Sequence, residues 1–261
     1  MTTDVHTAPL PADTAAVRDR EASIIISCLH EEDTIRDCLE RVTAAMPNAE
    51  VLVVHGGTDR TYDIAAEMAR ANAHIVPIRN ENDEGKGHAI QVGIARASHP
   101  VMCQFDADLQ FAPEDIPAMF APIFEGRADL VIGSRFMPES DDSQYQFSFF
   151  RTVGNWVVNA WVSLMAGTRL TDVTTGSKAW TREAIAAIDF RDRRFVYEVE
   201  IPVRAQLLGL RIVQVPVSYH NRQGGVSGHG SGLKELWSII RTGLMLLWTA
   251  TRIRLAGVKR D

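Results

Sequence analysis

Short apolar runs alternate with helical stripes along the first half of the chain. Runs rich in Val and Ile predict strands that are buried on both faces, and they lie at residues 23–27, 51–54, 74–78, 101–105 and 130–133. Between them, apolar residues recur every three or four positions over residues 31–45, 59–68, 88–97 and 113–123, which predicts helices. The alternation predicts an α/β protein with a mostly parallel sheet that helices cover on both faces.

The second half of the chain predicts three helices, one further strand and a long terminal helix. The helices are expected over residues 153–166, 182–188 and 199–208, the strand over 211–217 and the last helix over 233–255. Two stretches, 138–150 and the glycine-rich 221–232, are expected to be mobile loops. We therefore expect a disordered arm over residues 1–20, one globular domain over 21–232, and an amphipathic helix with a basic tail over 233–261.

Composition narrows the class of protein. The net charge of −6 argues against broad electrostatic binding of nucleic acid, although the C-terminal tail is locally basic. Cys28, Cys38 and Cys103 form no CxxC pair, so we expect buried free thiols and a cytoplasmic, reducing location. The N-terminal residues have no signal-peptide pattern, and no apolar run approaches the roughly 20 residues of a spanning helix.

Three oxygen-bearing side chains follow the strand at 101–105. Asp106 and Asp108 are two residues apart and can converge as the strand ends, and Gln110 adds an amide oxygen. Mg²⁺ and Mn²⁺ prefer such ligands and often share them with substrate phosphates, but an ordinary acidic turn explains these residues equally well. The loops 55–59, 85–87 and 134–135 also follow strands or lie beside strand ends, where α/β sheets bind ligands, which favours a metal site.

Several motifs together resemble one known family. They are G-G-T-D-x-T from Gly56, G-K-G-x-A from Gly85, D-A-D-L-Q-x-x-P-E from Asp106, G-S-R from Gly133, R-x-x-x-N from Arg151, and D-x-x-x-G-x-K from Asp172. This order resembles the family 2 glycosyltransferases of GT-A (Rossmann-like) fold, and within them the catalytic domains of dolichol- or polyprenol-phosphate mannosyl- and glucosyltransferases. The resemblance covers about residues 23–225, and its most specific part is the motif from Asp106 with the G-S-R that follows.

The resemblance implies a metal-dependent inverting transfer from a UDP- or GDP-linked sugar to a polyprenyl or dolichyl phosphate. It implies that Asp106, Asp108 and Gln110 hold Mg²⁺ or Mn²⁺ on the donor diphosphate, with Asp108 indispensable for catalysis. The implied donor-binding residues are Glu31, His55, Gly56, Lys86, Asp106, Ala107 and Asp108. Arg135, Arg151 and Arg222 match positions that bind the acceptor phosphate, for which the planar guanidinium is well suited.

A general base is harder to assign. A hydroxyl acceptor must lose a proton as it attacks, and Asp172, Glu198 and Glu200 are the candidates, whereas a lipid phosphate is already ionised and needs no base. Glu198 and Glu200 point about 200° apart on a helix, so at most one of them faces the site.

Two departures from the family pattern leave alternatives open. Only Glu31 remains of the usual motif after the first strand. The aspartates that follow the second strand, the first of which generally reads the nucleobase, are replaced by His55-Gly56 or, with a one-residue gap, by Val54-His55. A soluble hydroxyl acceptor, or a non-catalytic nucleotide-sugar binding homologue, therefore stays possible. The last helix either lies at a membrane surface, making the protein peripheral, or packs on the domain or on a second subunit.

Overall fold

The computed structural model describes residues 6–7, 14–141, 149–221 and 233–258, and its centre is one eight-stranded sheet. The strands run in the order β1-β8-β6-β7-β5-β2-β3-β4. Their bounds are β1 His6–Thr7, β2 Ser23–Cys28, β3 Glu50–His55, β4 Ile75–Arg79, β5 Val101–Asp106, β6 Leu130–Ser134, β7 Lys178–Thr181 and β8 Ile212–Pro216. The runs of Val and Ile form the buried strands because residues on both faces of the sheet are covered.

One strand runs against the others. β7 lies between β5 and β6 and pairs antiparallel with both, while the other strand pairs are parallel. Lys178 at the start of β7 stands opposite Gln104 of β5 and Ile132 of β6. The antiparallel direction brings the loop before β7 to the same edge of the sheet as the carboxyl ends of its neighbours.

Helices cover both faces of this sheet. Their bounds are α1 Ala15–Arg18, α2 Ile35–Ala45, α3 Thr61–Ala69, α4 Lys86–Arg96, α5 Ile116–Phe124, α6 Phe149–Ala166, α7 Arg182–Ile188, α8 Tyr197–Leu208 and α9 Leu233–Ala256. One core cluster lies under α2 and α5, and the other lies under α4, α6, α8 and α9. The mostly parallel α/β fold predicted from the sequence is confirmed.

The N-terminal prediction needs a correction. Within the arm expected to be disordered, His6–Thr7 pairs with β8, and α1 packs against α5 through the buried Val17. Of the two stretches expected to be mobile loops, residues 142–148 and 222–232 lie outside the described residues, and the end of the first forms the start of α6.

The four-residue strand β7 was not predicted. Lys178 stands among three residues that otherwise fit a strand, and so short a segment has no readable periodicity.

The long helix α9 buries one face and exposes another that is also apolar. Leu246, Ala250 and Ile253 are buried against α6 and α8, and Trp161 of α6 donates a hydrogen bond to Thr251 at 3.0 Å. Other apolar residues of the helix face solvent: Trp237, Ile240, Leu244, Met245 and Trp248. Packing on the domain thus uses only part of the apolar surface of this helix, and the rest stays exposed.

Two further expectations can be compared with the structure. Cys28, Cys38 and Cys103 are buried and unpaired, as predicted, and burial raises the pKa of each thiol. Among the described residues, every helix is too short or too polar to cross a membrane.

Candidate active site

The candidate site lies at the carboxyl edge of the sheet. Asp106 is the last residue of β5 and stands beside Ser27 of β2, whose next residue stands beside His55 at the end of β3. Ends of parallel strands at one level bring their following loops together. Of the four loops predicted to meet at one edge, those at residues 55–59 and 106–110 are brought together there by the strand register, along with the loop after β2.

A three-membered charge cluster is the centre of this edge. The Lys86 ammonium lies 2.9 Å from Oδ1 and 3.0 Å from Oδ2 of Asp106, and 3.2 Å from Oε1 of Glu198. These residues come from the start of α4, the end of β5 and the first turn of α8. The cluster thus joins one predicted donor-binding residue, one predicted metal ligand and one candidate base.

Burial and charge act in opposite directions on these groups. Burial disfavours the Lys86 ammonium, but the neighbouring carboxylates, above all Asp106, raise the pKa of Lys86 well above its usual value. Burial raises the pKa of Glu198, although Lys86 opposes this shift. The lysine therefore stays charged, and it supplies the positive charge that two closely spaced acids require.

The Asp108 turn is held from both sides. Oδ1 of Asp108 accepts a hydrogen bond from the Gln110 backbone at 3.1 Å, and Leu109 between them has a left-handed φ of 57°. The Gln110 carbonyl accepts from the backbone of His220 at 2.7 Å. A non-glycine residue in this region costs on the order of 1 kcal/mol, which the burial of Leu109 offsets.

The loop before β7 closes on Asp106 from the opposite direction. An ideal Cβ at Gly176 would lie 2.0 Å from Oδ2 of Asp106 and 3.1 Å from Nζ of Lys86, so only glycine fits there. Lys178 begins the following strand, is completely buried and donates a hydrogen bond to the Thr175 carbonyl. Burial lowers the pKa of Lys178 to about 8.

Arg135 and Asp172 form a buried pair next to this loop. Nε and Nη2 of Arg135 donate to the two oxygens of Asp172 at 2.7 and 2.8 Å, and the Arg135 backbone donates a third bond at 3.1 Å. Three aromatic rings lie within 6 Å of the guanidinium: Phe111, Phe136 and Tyr219. Asp172 therefore orients Arg135. This pairing does not fit the predicted role of Asp172 as a base.

Glu198 and Glu200 diverge, as their helical spacing predicted. Glu198 contacts Lys86, whereas Oε2 of Glu200 accepts from the backbones of Arg191 and Asp192 at 2.6 and 3.2 Å. Glu200 thereby anchors the segment before α8 and lies away from the charge cluster. A catalytic role for Glu200 has no support in this geometry.

Three of the predicted donor-binding residues, His55, Glu31 and Ala107, are partly or fully buried and already have contacts within the protein. His55 is buried, and its Nε2 lies 2.9 Å from Oδ1 of Asp59, so it is not a surface turn residue. Glu31 accepts from the Thr34 hydroxyl at 2.9 Å and helps start α2. Ala107 is buried beside Asp106. These three residues lie at or just after the carboxyl ends of β2, β3 and β5.

Asp83 lies where a side chain at position 56 would point. An ideal Cβ at Gly56 would lie 2.5 Å from Cγ of Asp83, and Oδ1 of Asp83 accepts from Asn80 at 2.8 Å. The loop after β4 thus places the Asp83 carboxylate in the space that a side chain at position 56 would occupy. Sequence reasoning missed Asp83, since nothing in the pattern Asn82-Asp83-Glu84 distinguishes it from a solvated loop.

Other predicted and missed residues complete the comparison. Arg151 lies in the first turn of α6 with its side chain outside the described residues, and Arg222 lies outside them altogether. Gly176 and Lys178 were also missed as site residues, although the D-x-x-x-G-x-K motif contains both.

The side-chain oxygens of Asp106, Asp108 and Gln110 suit a hard divalent cation whose coordination shell is completed by a bound ligand. Among the residues that the structure describes, no group of three or more His, Cys, Asp or Glu side chains forms a complete metal site. Asp106 nevertheless already holds one cation, the Lys86 ammonium, between its two oxygens. Asp106, Asp108 and Gln110 would supply part of an oxygen shell, and phosphates would supply the rest.

This sheet order, with acidic residues after β5 and an antiparallel strand beside it, defines the protein as a GT-A type glycosyltransferase fold. A solved structure of glucosyl-3-phosphoglycerate synthase from Mycobacterium tuberculosis, in complex with Mn²⁺, UDP and glucosyl-3-phosphoglycerate, is similar with a TM-score of 0.68 at 20% identity. The similarity covers 96% of this chain and 88% of that chain. It establishes the fold.

The family profile "Glycosyl transferase family 2" matches residues 23–186, so the chain belongs to this family and is a glycosyltransferase. An undecaprenyl-phosphate mannosyltransferase from Micrococcus luteus is 29% identical over 88% of this chain and 97% of its own length. A polyprenol monophosphomannose synthase from Mycolicibacterium smegmatis is 29% identical over 85% of this chain and 87% of its own length. The predicted resemblance is confirmed.

Proposed function

We propose that this glycosyltransferase moves a sugar, with inversion, from a UDP- or GDP-linked donor to a polyprenyl phosphate, with Mg²⁺ or Mn²⁺ bound at Asp106, Asp108 and Gln110. The two relatives named for mannosyl transfer to undecaprenyl or polyprenol phosphate support the acceptor. The solved relative with Mn²⁺ and UDP supports the metal and the nucleotide.

The observation that carries the acceptor proposal is the state of the three candidate bases. Asp172 is paired with Arg135, Glu198 with Lys86, and Glu200 with two backbone N–H groups. Using Asp172 or Glu200 as a base would break these contacts in a buried environment, which is costly, and Glu198 shares the Lys86 ammonium with Asp106. A phosphate acceptor is already ionised and needs none of them.

The exposed apolar surface supports a lipid acceptor as well. Helices α6 and α9 pack side by side and expose three tryptophans, Trp156, Trp237 and Trp248, each more than 60% accessible. A groove of about 480 Å³ lies between α9 and the segment before α8, and it is lined by Phe195, Trp237, Met245, Arg194 and Arg241, among others. Aromatic and basic residues together are typical of surfaces that lie at a lipid interface.

One residue that lines this groove, Phe195, is close in sequence to Glu198 of the charge cluster. Phe195 lies three residues before Glu198, and its carbonyl accepts a hydrogen bond from the Glu198 backbone at 3.3 Å. We propose that a prenyl chain in this groove has its phosphate on the side of Glu198 and Lys86. We propose a peripheral membrane location for the protein on this basis.

Each residue group has a distinct task in the proposed transfer. The bound cation would stabilise the charge that develops on the departing nucleoside diphosphate. Lys86 would add a second positive charge there, and Asp172 would hold Arg135 rigid at the edge of the pocket. Arg135, Arg151 and Arg222 remain the proposed residues that bind the acceptor phosphate through their guanidinium groups.

Asp83 is the proposed nucleobase contact. Its carboxylate can accept N–H bonds from uracil or guanine, and it replaces the side chain that Gly56 lacks. Strands β3 and β5 are two strand spacings apart, about 10 Å. That separation suits a nucleotide whose diphosphate lies at Asp106 and whose base lies at Gly56.

The transfer assay that tests this proposal varies donor and acceptor independently. Radiolabelled UDP- and GDP-sugars are offered with Mn²⁺ and, in parallel, undecaprenyl phosphate, the dephosphorylated polyprenol, or soluble hydroxyl compounds. We expect label in the lipid phase only with the phosphorylated lipid. Label on a soluble acceptor alone would overturn the lipid proposal, and absence of any donor binding in calorimetry would favour a non-catalytic homologue.

Membrane association is tested by sedimentation with liposomes of phosphatidylcholine and phosphatidylglycerol. We expect the wild type to sediment and the Leu244→Ser/Trp248→Ser variant to stay in solution, with thermal unfolding unchanged because both side chains are exposed. Equal sedimentation of the two proteins would contradict the proposed surface. A homodimer that the variant dissociates would show that a second subunit covers it instead.

A further inference from the structure

The Lys86 ammonium lies against the carboxylate of Asp106, which is one of the proposed metal ligands. The ammonium is nearly equidistant from the two oxygens of that carboxylate, at 2.9 and 3.0 Å, with Glu198 on its other side at 3.2 Å. Mg²⁺ binds carboxylate oxygens at about 2.0–2.1 Å, so a cation and the ammonium cannot occupy this face of the Asp106 carboxylate together. The two positive charges would also repel each other.

Two backbone N–H groups in the first turn of helix α4 are already hydrogen-bonded, whereas the Lys86 side chain reaches the charge cluster. At other helix N-termini, free backbone N–H groups often bind phosphate. Here the N–H groups of Gly87 and His88 already donate to the carbonyls of Arg194 and Arg193, each at 2.9 Å. The helix end is therefore closed by the segment before α8, and its positive charge reaches the site through the lysine.

The fixed surroundings make this competition a property of the fold. An ideal Cβ at Gly176 would lie 2.0 Å from Oδ2 of Asp106 and 3.1 Å from Nζ of Lys86, so the backbone of the loop before β7 approaches both groups closely. The lysine, by contrast, is the end of a long side chain and is 18% exposed. Of the two partners, the ammonium is the one that can move.

We propose that Lys86 is an internal cation that blocks the metal position on Asp106 until the donor diphosphate draws the ammonium away. This inference rests on the metal and nucleotide use proposed above. The diphosphate offers Lys86 new negative partners, which opens Asp106 to the metal that arrives with the nucleotide. Metal and nucleotide binding are then coupled, and each must strengthen the other by the same factor.

The coupling is tested by direct Mn²⁺ binding, without any turnover. Free Mn²⁺ is measured by its electron paramagnetic resonance signal during titration of the protein, alone and with saturating UDP or GDP. For the wild type we expect weak binding alone and at least tenfold tighter binding with nucleotide. For Lys86→Met we expect Mn²⁺ binding without nucleotide to be about tenfold tighter than in the wild type, with most of the coupling lost.

A matched control separates competition from general charge. Arg96 is the exposed last residue of the same helix, and Arg96→Met removes the same charge far from Asp106. We expect its Mn²⁺ binding to equal that of the wild type. Lys86→Gln serves as a second variant with a polar, uncharged side chain, and thermal unfolding confirms that each variant is folded.

The outcomes distinguish this inference from the proposal on which it rests. Mn²⁺ binding that depends on nucleotide equally in the wild type and in both Lys86 variants would overturn the inference alone. Weaker metal binding in those variants without nucleotide would do the same, since Lys86 would then assist the metal. Absence of Mn²⁺ binding by the wild type under all conditions would overturn both the inference and the proposed metal.

Discussion

Arg135 and Asp172 form a bidentate ion pair in which the arginine side chain is 10% exposed and the aspartate is completely buried. The pair joins the loop after β6 to the loop before β7, and the aromatic rings around the guanidinium exclude water from it. Burial opposes the charged guanidinium, but Asp172 raises the pKa of Arg135 above its usual value. The two loops are thereby fixed at the edge where the sheet presents Asp106.

Breaking this pair should destabilise the protein strongly. Asp172→Asn leaves a buried guanidinium without its counter-charge, and we expect the free energy of unfolding in urea to fall by about 3–5 kcal/mol. The matched control is Asp129→Asn, which breaks the bidentate pair with Arg211 at the surface and should cost about 1 kcal/mol or less. Equal losses in the two variants would contradict the structural role assigned to Asp172.

Replacement of Asp108 should remove catalysis while the fold is kept. In Asp108→Asn the side chain keeps its shape and can still accept the bond from Gln110, but it loses the charge that a metal requires. We expect Mn²⁺-dependent transfer to fall by at least about 100-fold, with an unchanged circular dichroism spectrum. Asp63→Asn, at an exposed position on α3, is the control and should retain full activity. Near-normal turnover of the Asp108 variant would refute the metal site.

A single methyl group at Gly176 should disturb Asp106. The added Cβ would lie 2.0 Å from Oδ2, so the carboxylate or the loop must shift. We expect Gly176→Ala to weaken Mn²⁺ binding in the presence of UDP by about tenfold or more, measured by calorimetry. Gly243→Ala on α9 meets no atom within 4 Å and should leave Mn²⁺ binding unchanged. Its helix should gain roughly 0.5–1 kcal/mol of stability.

Lys178 should give the protein a pH-dependent stability. Its pKa is lowered in the folded state to about 8, below the usual 10.5, so the unfolded chain binds more protons between these two pH values. Stability must therefore rise with pH across this window. Relative to Lys178→Met, the unfolding free energy of the wild type should rise between pH 8 and 10.5 by roughly 1–3 kcal/mol. A constant difference between the two proteins would show that Lys178 does not titrate in this range.

Asp83 should influence which nucleotide binds. Asp83→Asn replaces a carboxylate, which only accepts hydrogen bonds, with an amide, which also donates them. A nucleobase that presents only N–H groups to this position therefore binds more weakly. We expect the preferred nucleoside diphosphate to bind about tenfold more weakly in the presence of Mn²⁺, and the discrimination between UDP and GDP to narrow. Glu81→Gln on the same loop is exposed and should bind as the wild type does. An unchanged preference in the Asp83 variant would exclude a base contact.

Local chemistry explains which features could be predicted from the sequence. The Val- and Ile-rich runs predict strands because such side chains suit a sheet buried on both faces, and the helical stripes predict the covering layers. The two-residue spacing of Asp106 and Asp108 after a strand, with the motifs around it, predicts a site at the carboxyl edge. The divergence of Glu198 and Glu200 likewise follows from helical geometry alone.

Only the tertiary structure decided which charged groups meet. Lys86 and Glu198 are far apart in the chain, and their contact across Asp106 depends on where α8 is placed over the sheet. The four residues of β7 carry no periodic signal, yet their antiparallel insertion brings Asp172, Gly176 and Lys178 to the site edge. The pairing of β3 with β4 brings Asp83, in the loop after β4, beside Gly56. A sequence states which groups are available, but long-range packing sets their partners, and in a buried site the partner determines what each group can do.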